Sequence, residues 1–156
     1  MTMDNERSLG RVLAVDYGTV RLGLAVSDYE RQFASPYENY TRVNLTQDAR
    51  YLKRVIQEER IVQLVVGLPI HLDGRESQKS IEARQFADWL GELSALPVDL
   101  MDERFTSYEA EQFLIGANLS RAKRKERLDK LAAQILLAAY LETPAESRSL
   151  PPKGLS

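Results

Sequence analysis

The chain has 156 residues, no cysteine and a formal net charge of −2. That length fits one domain that buries a core without covalent staples, and the absence of cysteine excludes disulfides, thiolate metal sites and cysteine nucleophiles, as a reducing cytosol permits. Residues 1–8 are polar with no apolar signal segment, and the longest apolar run, residues 131–141, is far short of the roughly 20 residues a membrane crossing needs.

Residues 12–15 form an apolar run ending at Asp16, and residues 22–26 form another, with Tyr17, Gly18, Thr19 and Val20 between them. This predicts two paired strands around a glycine-containing turn. Residues 33–41 read as a third extended segment, and Pro36 suits it to a sheet edge. The period then changes: Leu45, Ala49, Leu52, Val55 and Ile56 are spaced for one face of a helix over 45–59. A buried strand is expected over 61–66, closed by Gly67, Leu68 and Pro69. An Asp73–Gly74 turn follows, then a helix carrying Ala83, Phe86, Ala87, Leu90 and Leu93, and a strand over 97–101. Thr106 and Glu109 form a capping box, predicting a helix from about Ser107 to Gly116. The last helix, over 128–141, is apolar almost all round and should be buried against the sheet. Hairpins followed by strand–helix alternation describe an α/β domain with a mixed sheet. Residues 1–8 are expected to be flexible, residues 9–142 to form the domain, and residues 143–156, rich in Pro and Ser, to be disordered.

Three acids stand out. Asp16 ends an apolar strand, Glu103 follows a strand end, and Asp129 is the only acid from 128 to 141 on an otherwise apolar helix. Each has an ordinary alternative: an Asx turn, a solvated loop acid, and an i,i+4 partner for Lys125. If folding brings them together, their repulsion calls for cations, and oxygen ligands of this kind favour Mg²⁺ or Mn²⁺. Such a cluster suits two-metal phosphoryl transfer. A basic stretch (Arg121, Lys123, Arg124, Lys125, Arg127 and Lys130) offers phosphate contacts, although its alternative is a solvated face. Arg21 and Arg104 are further candidates for phosphate, and Gly67 and Pro69 could bring backbone close to it. His71 reads as a surface residue and Trp89 as core packing.

Four segments carry a family resemblance: VLAVDYGTVRLGLAVSD (12–28), VVGLPIHLDG (65–74), DERFTS (102–107) and SRAKRKERLDKLAAQILLAAY (120–140). Together they resemble the YqgF family, also described as pre-16S rRNA nucleases or Holliday-junction resolvases, over residues 9–142. The resemblance implies an RNase H-like fold with a five-stranded mixed sheet whose first three strands are antiparallel. It also implies a catalytic and metal-binding trio of Asp16, Glu103 and Asp129 beside Gly18 and Thr19, and a cytoplasmic hydrolase that processes the end of pre-16S rRNA, with ribosomal particles as possible partners. Val20 departs from the family, which often carries a basic residue there. Three rivals stay open: cleavage of branched DNA, nucleic-acid binding without cleavage, and an actin- or Hsp70-like nucleotide-binding role suggested by the first segment.

Overall fold

The computed structural model describes residues 9–68, 77–102 and 121–143, with side chains in the last stretch given for Lys123 and residues 131–143. The elements are β1 (Arg11–Asp16), β2 (Arg21–Ser27), β3 (Ala34–Thr41), α1 (Leu45–Glu58), β4 (Ile61–Leu68), α2 (Gln78–Ser94), β5 (Val98–Asp102) and α3 (Arg121–Glu142). The expected turn at 73–74, the helix at 107–116, residues 1–8 and residues 144–156 of the expected tail lie outside the described residues.

The five strands form one sheet in the order β3-β2-β1-β4-β5. The short turn after β1 returns the chain antiparallel, and β3 pairs antiparallel with β2. β4, reached through α1, lies parallel to β1, and β5, reached through α2, lies parallel to β4. This is the geometry that short turns and helical crossovers respectively impose, and it matches the mixed sheet expected from the sequence.

Strand alternation divides the core into two layers. Leu13, Val15, Leu22, Leu24, Leu64 and Val66 pack with Tyr51, Leu52, Val55, Phe86 and Leu90 of α1 and α2. Val12, Ala14, Ala25 and Val65 pack on the other side against Ala133, Leu136, Leu137 and Tyr140 of α3. Trp89 lies against the first layer, as its helical position predicts.

Helix ends follow local chemistry: the Asn44 side chain accepts the Gln47 N–H at 2.8 Å, and the Ser77 hydroxyl accepts the Ser80 N–H at 3.2 Å. Three expectations are revised. β4 runs two residues further, to Leu68, and α3 begins at Arg121, well before residue 128. The inward face of α1 is also rotated: Asp48, Tyr51, Leu52 and Val55 are buried while Leu45 is exposed. Asp48 can occupy that apolar stripe because its carboxylate is fully partnered, as shown below.

Candidate active-site cleft

The C-terminal ends of the three parallel strands lie at one edge of the sheet. Val15 is level with Val66, Gly67 with Met101, and Leu68 with Asp102. Asp16 and Asp102 therefore end strands two positions apart, a separation of about 10 Å. In open α/β sheets this edge is where ligands are bound.

Asp16 follows the alternation of Val12 and Ala14, so it belongs to the face covered by α3. Across the sheet it pairs with Gly23, and Gly23 pairs with Asn39. Residues directly opposite one another share a face, so the missing side chain at Gly23 leaves a gap flanked by a carboxylate and an amide. Asn39 Oδ1 is buried and finds no hydrogen-bond partner among the described residues. A buried acceptor without a donor is uncommon and points to a missing partner such as a water or an ion.

A cleft of about 590 Å³ opens here, lined by Asp16, Arg21 and Asn39 from the first three strands, by Gly18 and Thr19 from the turn after β1, and by Gln78, Lys79 and Glu82 from the start of α2. The last three were missed by sequence reasoning, since nothing in the chain indicates that the first turn of α2 reaches the β1 end. Gly18 is required sterically: a Cβ there would stand 2.5 Å from the Arg21 carbonyl oxygen. Val20, beside it, is 60% exposed.

Behind this loop lies a buried ion pair. The Arg42 guanidinium donates from Nε to Asp48 Oδ2 at 3.0 Å and from Nη1 to the Gly18 carbonyl at 3.2 Å. Asp48 Oδ1 accepts from the Tyr40 hydroxyl at 2.9 Å and the Val43 N–H at 3.0 Å. Burial pushes the Asp48 carboxyl up, but the Val43 N–H, the Tyr40 hydroxyl and the Arg42 guanidinium together outweigh it and hold the group below the usual carboxylate range. Arg42 and Asp48 were also missed. The signal was present, since a carboxylate at the spacing of Tyr51, Leu52 and Val55 requires a buried partner.

Of the expected site residues, the structure brings Asp16, Gly18, Thr19 and Arg21 into one cleft and ends β4 just beyond Gly67. Lys123 is exposed on α3. Arg121, Arg124, Lys125, Asp129 and Lys130 fall within α3, and their side chains lie outside the described residues. Glu103, Arg104, Pro69 and His71 also lie outside them. Among the described residues there is no group of three or more His, Asp or Glu side chains placed to hold one ion.

The sequence profile of RuvX, described as a Holliday junction resolvase, matches residues 10–143. A relative from Rhodopirellula baltica, named as a candidate pre-16S rRNA nuclease, is 46% identical over 139 residues, covering 89% of this chain and 80% of the relative. One of the same name from Koribacter versatilis is 44% identical over 142 residues, covering 91% and 93%. Among solved structures, Thermus thermophilus RuvC in complex with a Holliday junction substrate superposes with a TM-score of 0.53 at 17% identity. It covers 86% of this chain and 98% of that one, a likeness of fold.

Proposed function

The chain belongs to the RuvX family of nucleases, and from that membership we propose that it is a metal-dependent nuclease that hydrolyses phosphodiester bonds at the end of pre-16S rRNA. The observation that carries the reading is the position of Asp16. It ends a core strand at the open edge of the sheet, on the α3 face, in a cleft that also holds the cations Arg21 and Lys79.

The donor set fits a hard divalent cation. Asp16 offers carboxylate oxygen, and the unpartnered Asn39 Oδ1 across Gly23 is a second oxygen of the kind that takes an ion or a water of its shell. In this reading Asp16, Glu103 and Asp129 hold Mg²⁺ or Mn²⁺. When bound, the ions would supply an activated water and neutralise charge on the departing oxygen. The chain's own contribution is to bind and orient the nucleic acid. Arg21 and Lys79 line the cleft, and Arg104, Arg121, Lys123, Arg124, Lys125 and Lys130 are assigned to the phosphate backbone. Gly67 and Pro69 would allow backbone to approach the strand being cut.

No helix among the described residues is long and apolar enough to cross a membrane, and we place the protein in the cytoplasm, with ribosomal particles as its partners. The names of the relatives favour an RNA precursor as substrate, and the description of the family favours branched DNA as the second reading.

The two are separated by incubating the protein with an RNA bearing a precursor 16S end and, in parallel, with a four-way DNA junction, each with Mg²⁺ and with Mn²⁺. Cleavage of the RNA is expected, and Asp16→Asn should lower it at least about a hundredfold while circular dichroism stays unchanged. Equal cutting by the variant and the wild type contradicts the reading. Neutralising Lys123, Arg124 and Lys125 together should weaken RNA binding and flatten its salt dependence by up to about 0.7 per lost contact; an unchanged slope would return that stretch to a solvated face.

A further inference from the structure

We infer that Arg42 is a positioning residue, a clamp that fixes the loop following Asp16 to both helices beneath the sheet and so sets where the Asp16 carboxylate stands. The catalytic half of this statement rests on the nuclease reading; the mechanical half does not.

Its guanidinium meets three elements at once. Toward the loop it donates to the Gly18 carbonyl at 3.2 Å and lies 5.5 Å from the centre of the Tyr17 ring. Toward α1 it donates to the Asp48 carboxylate at 3.0 Å, and toward α2 it lies 5.7 Å from the Phe86 ring. Tyr17 and Phe86 are themselves in contact, with ring centres 5.1 Å apart. The Arg42 backbone N–H adds a bond to the Val20 carbonyl at 2.9 Å. Residues 17, 18 and 20, all within four positions of Asp16, are therefore tied to one side chain or its backbone.

The anchor is buried and held from several sides. The Asp48 side chain is 1% exposed against 15% for Arg42, and its other oxygen is held by Tyr40 and Val43. Tyr40 in turn stacks on Tyr51 of α1, ring centres 3.9 Å apart. A planar fork can serve Asp48 and Gly18 simultaneously from different nitrogens; a lysine at the same place has one nitrogen to share between them. A site that needs its carboxylate placed to a fraction of an ångström depends on such support.

The test uses Arg42→Lys, Arg42→Ala with and without added guanidinium, and Asp16→Asn as a control. In the substrate-free protein, amide exchange over residues 17–20 should become at least tenfold faster in both Arg42 variants. Leaving Asp48 buried without its guanidinium also lowers global stability, so exchange in β4 should rise with that loss in both variants, while loop exchange should stay near wild-type rates in Asp16→Asn. In cleavage assays kcat should fall about a hundredfold with KM changed less than threefold, and guanidinium should restore part of kcat to Arg42→Ala. Wild-type loop exchange in Arg42→Ala overturns the clamp, as does wild-type kcat in that variant or a kcat loss that guanidinium leaves untouched. If the wild type cuts nothing, the nuclease reading fails, and loop exchange alone decides the clamp.

Discussion

The two ends of β1 are built from similar parts put to different ends. Each has a glycine that no larger residue can replace without movement: a Cβ on Gly10 would meet Val62 Cγ2 at 2.5 Å, and one on Gly18 would meet the Arg21 carbonyl oxygen at 2.5 Å. Each has an arginine–carboxylate pair fastened to α1. Arg11 meets Glu59, the residue capping the C-terminal end of α1, at 2.8 Å, and Arg42 meets Asp48 near the start of that helix at 3.0 Å. The difference is burial. Side-chain exposure is 32% and 25% for the first pair but 15% and 1% for the second. A partly exposed pair stands at one end of β1, whereas a buried one, whose removal leaves unpaired groups in the core, stands at the end that carries the cleft.

The sharpest way to break this contrast is Asp48→Ala. It removes the acceptor for Arg42, Tyr40 and Val43 together and should cost about 3 kcal/mol or more, seen as a lowered urea midpoint, along with most of the cleavage activity. A smaller and more selective effect is expected from the two glycines. In Gly18→Ala the backbone must shift beside Asp16, so cleavage should fall at least about tenfold. In Gly10→Ala the strain of a residue at φ 105° should cost about 1–2 kcal/mol of stability and leave turnover as it was. A Gly10→Ala variant that lost activity as severely as Gly18→Ala would dissolve the distinction between the ends. Least of all should follow from Glu59→Gln, worth about 1 kcal/mol at most, with a thermal shift that vanishes at high salt and no change in rate.

Much of this architecture was legible in the chain. Apolar runs located β1, β2 and β4, β3 was read only as an extended segment around Pro36, and the family segments supplied the antiparallel start of the sheet. Asp16 was found because a charge ending an apolar strand is costly without a reason. What escaped were residues whose importance depends on meeting something distant in sequence. Lys79 and Glu82 reach the cleft only because α2 crosses back to the end of β1. Asn39 matters only because the sheet register sets it across Gly23 from Asp16. Arg42 was silent for the same reason, although Asp48, lodged in the apolar stripe of α1, announced that some cation had to be buried nearby. The face of α1 that leaves Leu45 exposed buries Asp48 together with Tyr51, Leu52 and Val55.

The account depends most on carboxylates from β1, the segment after β5 and α3 sharing divalent ions. A crystal of the protein grown with Mn²⁺, with anomalous scattering collected at the manganese edge, tests this directly. The expected result is a peak about 2.1–2.3 Å from the Asp16 carboxylate that is also bound by Glu103 and Asp129. Manganese bound away from Asp16, or an Asp129 carboxylate directed to the far side of the sheet, would contradict it.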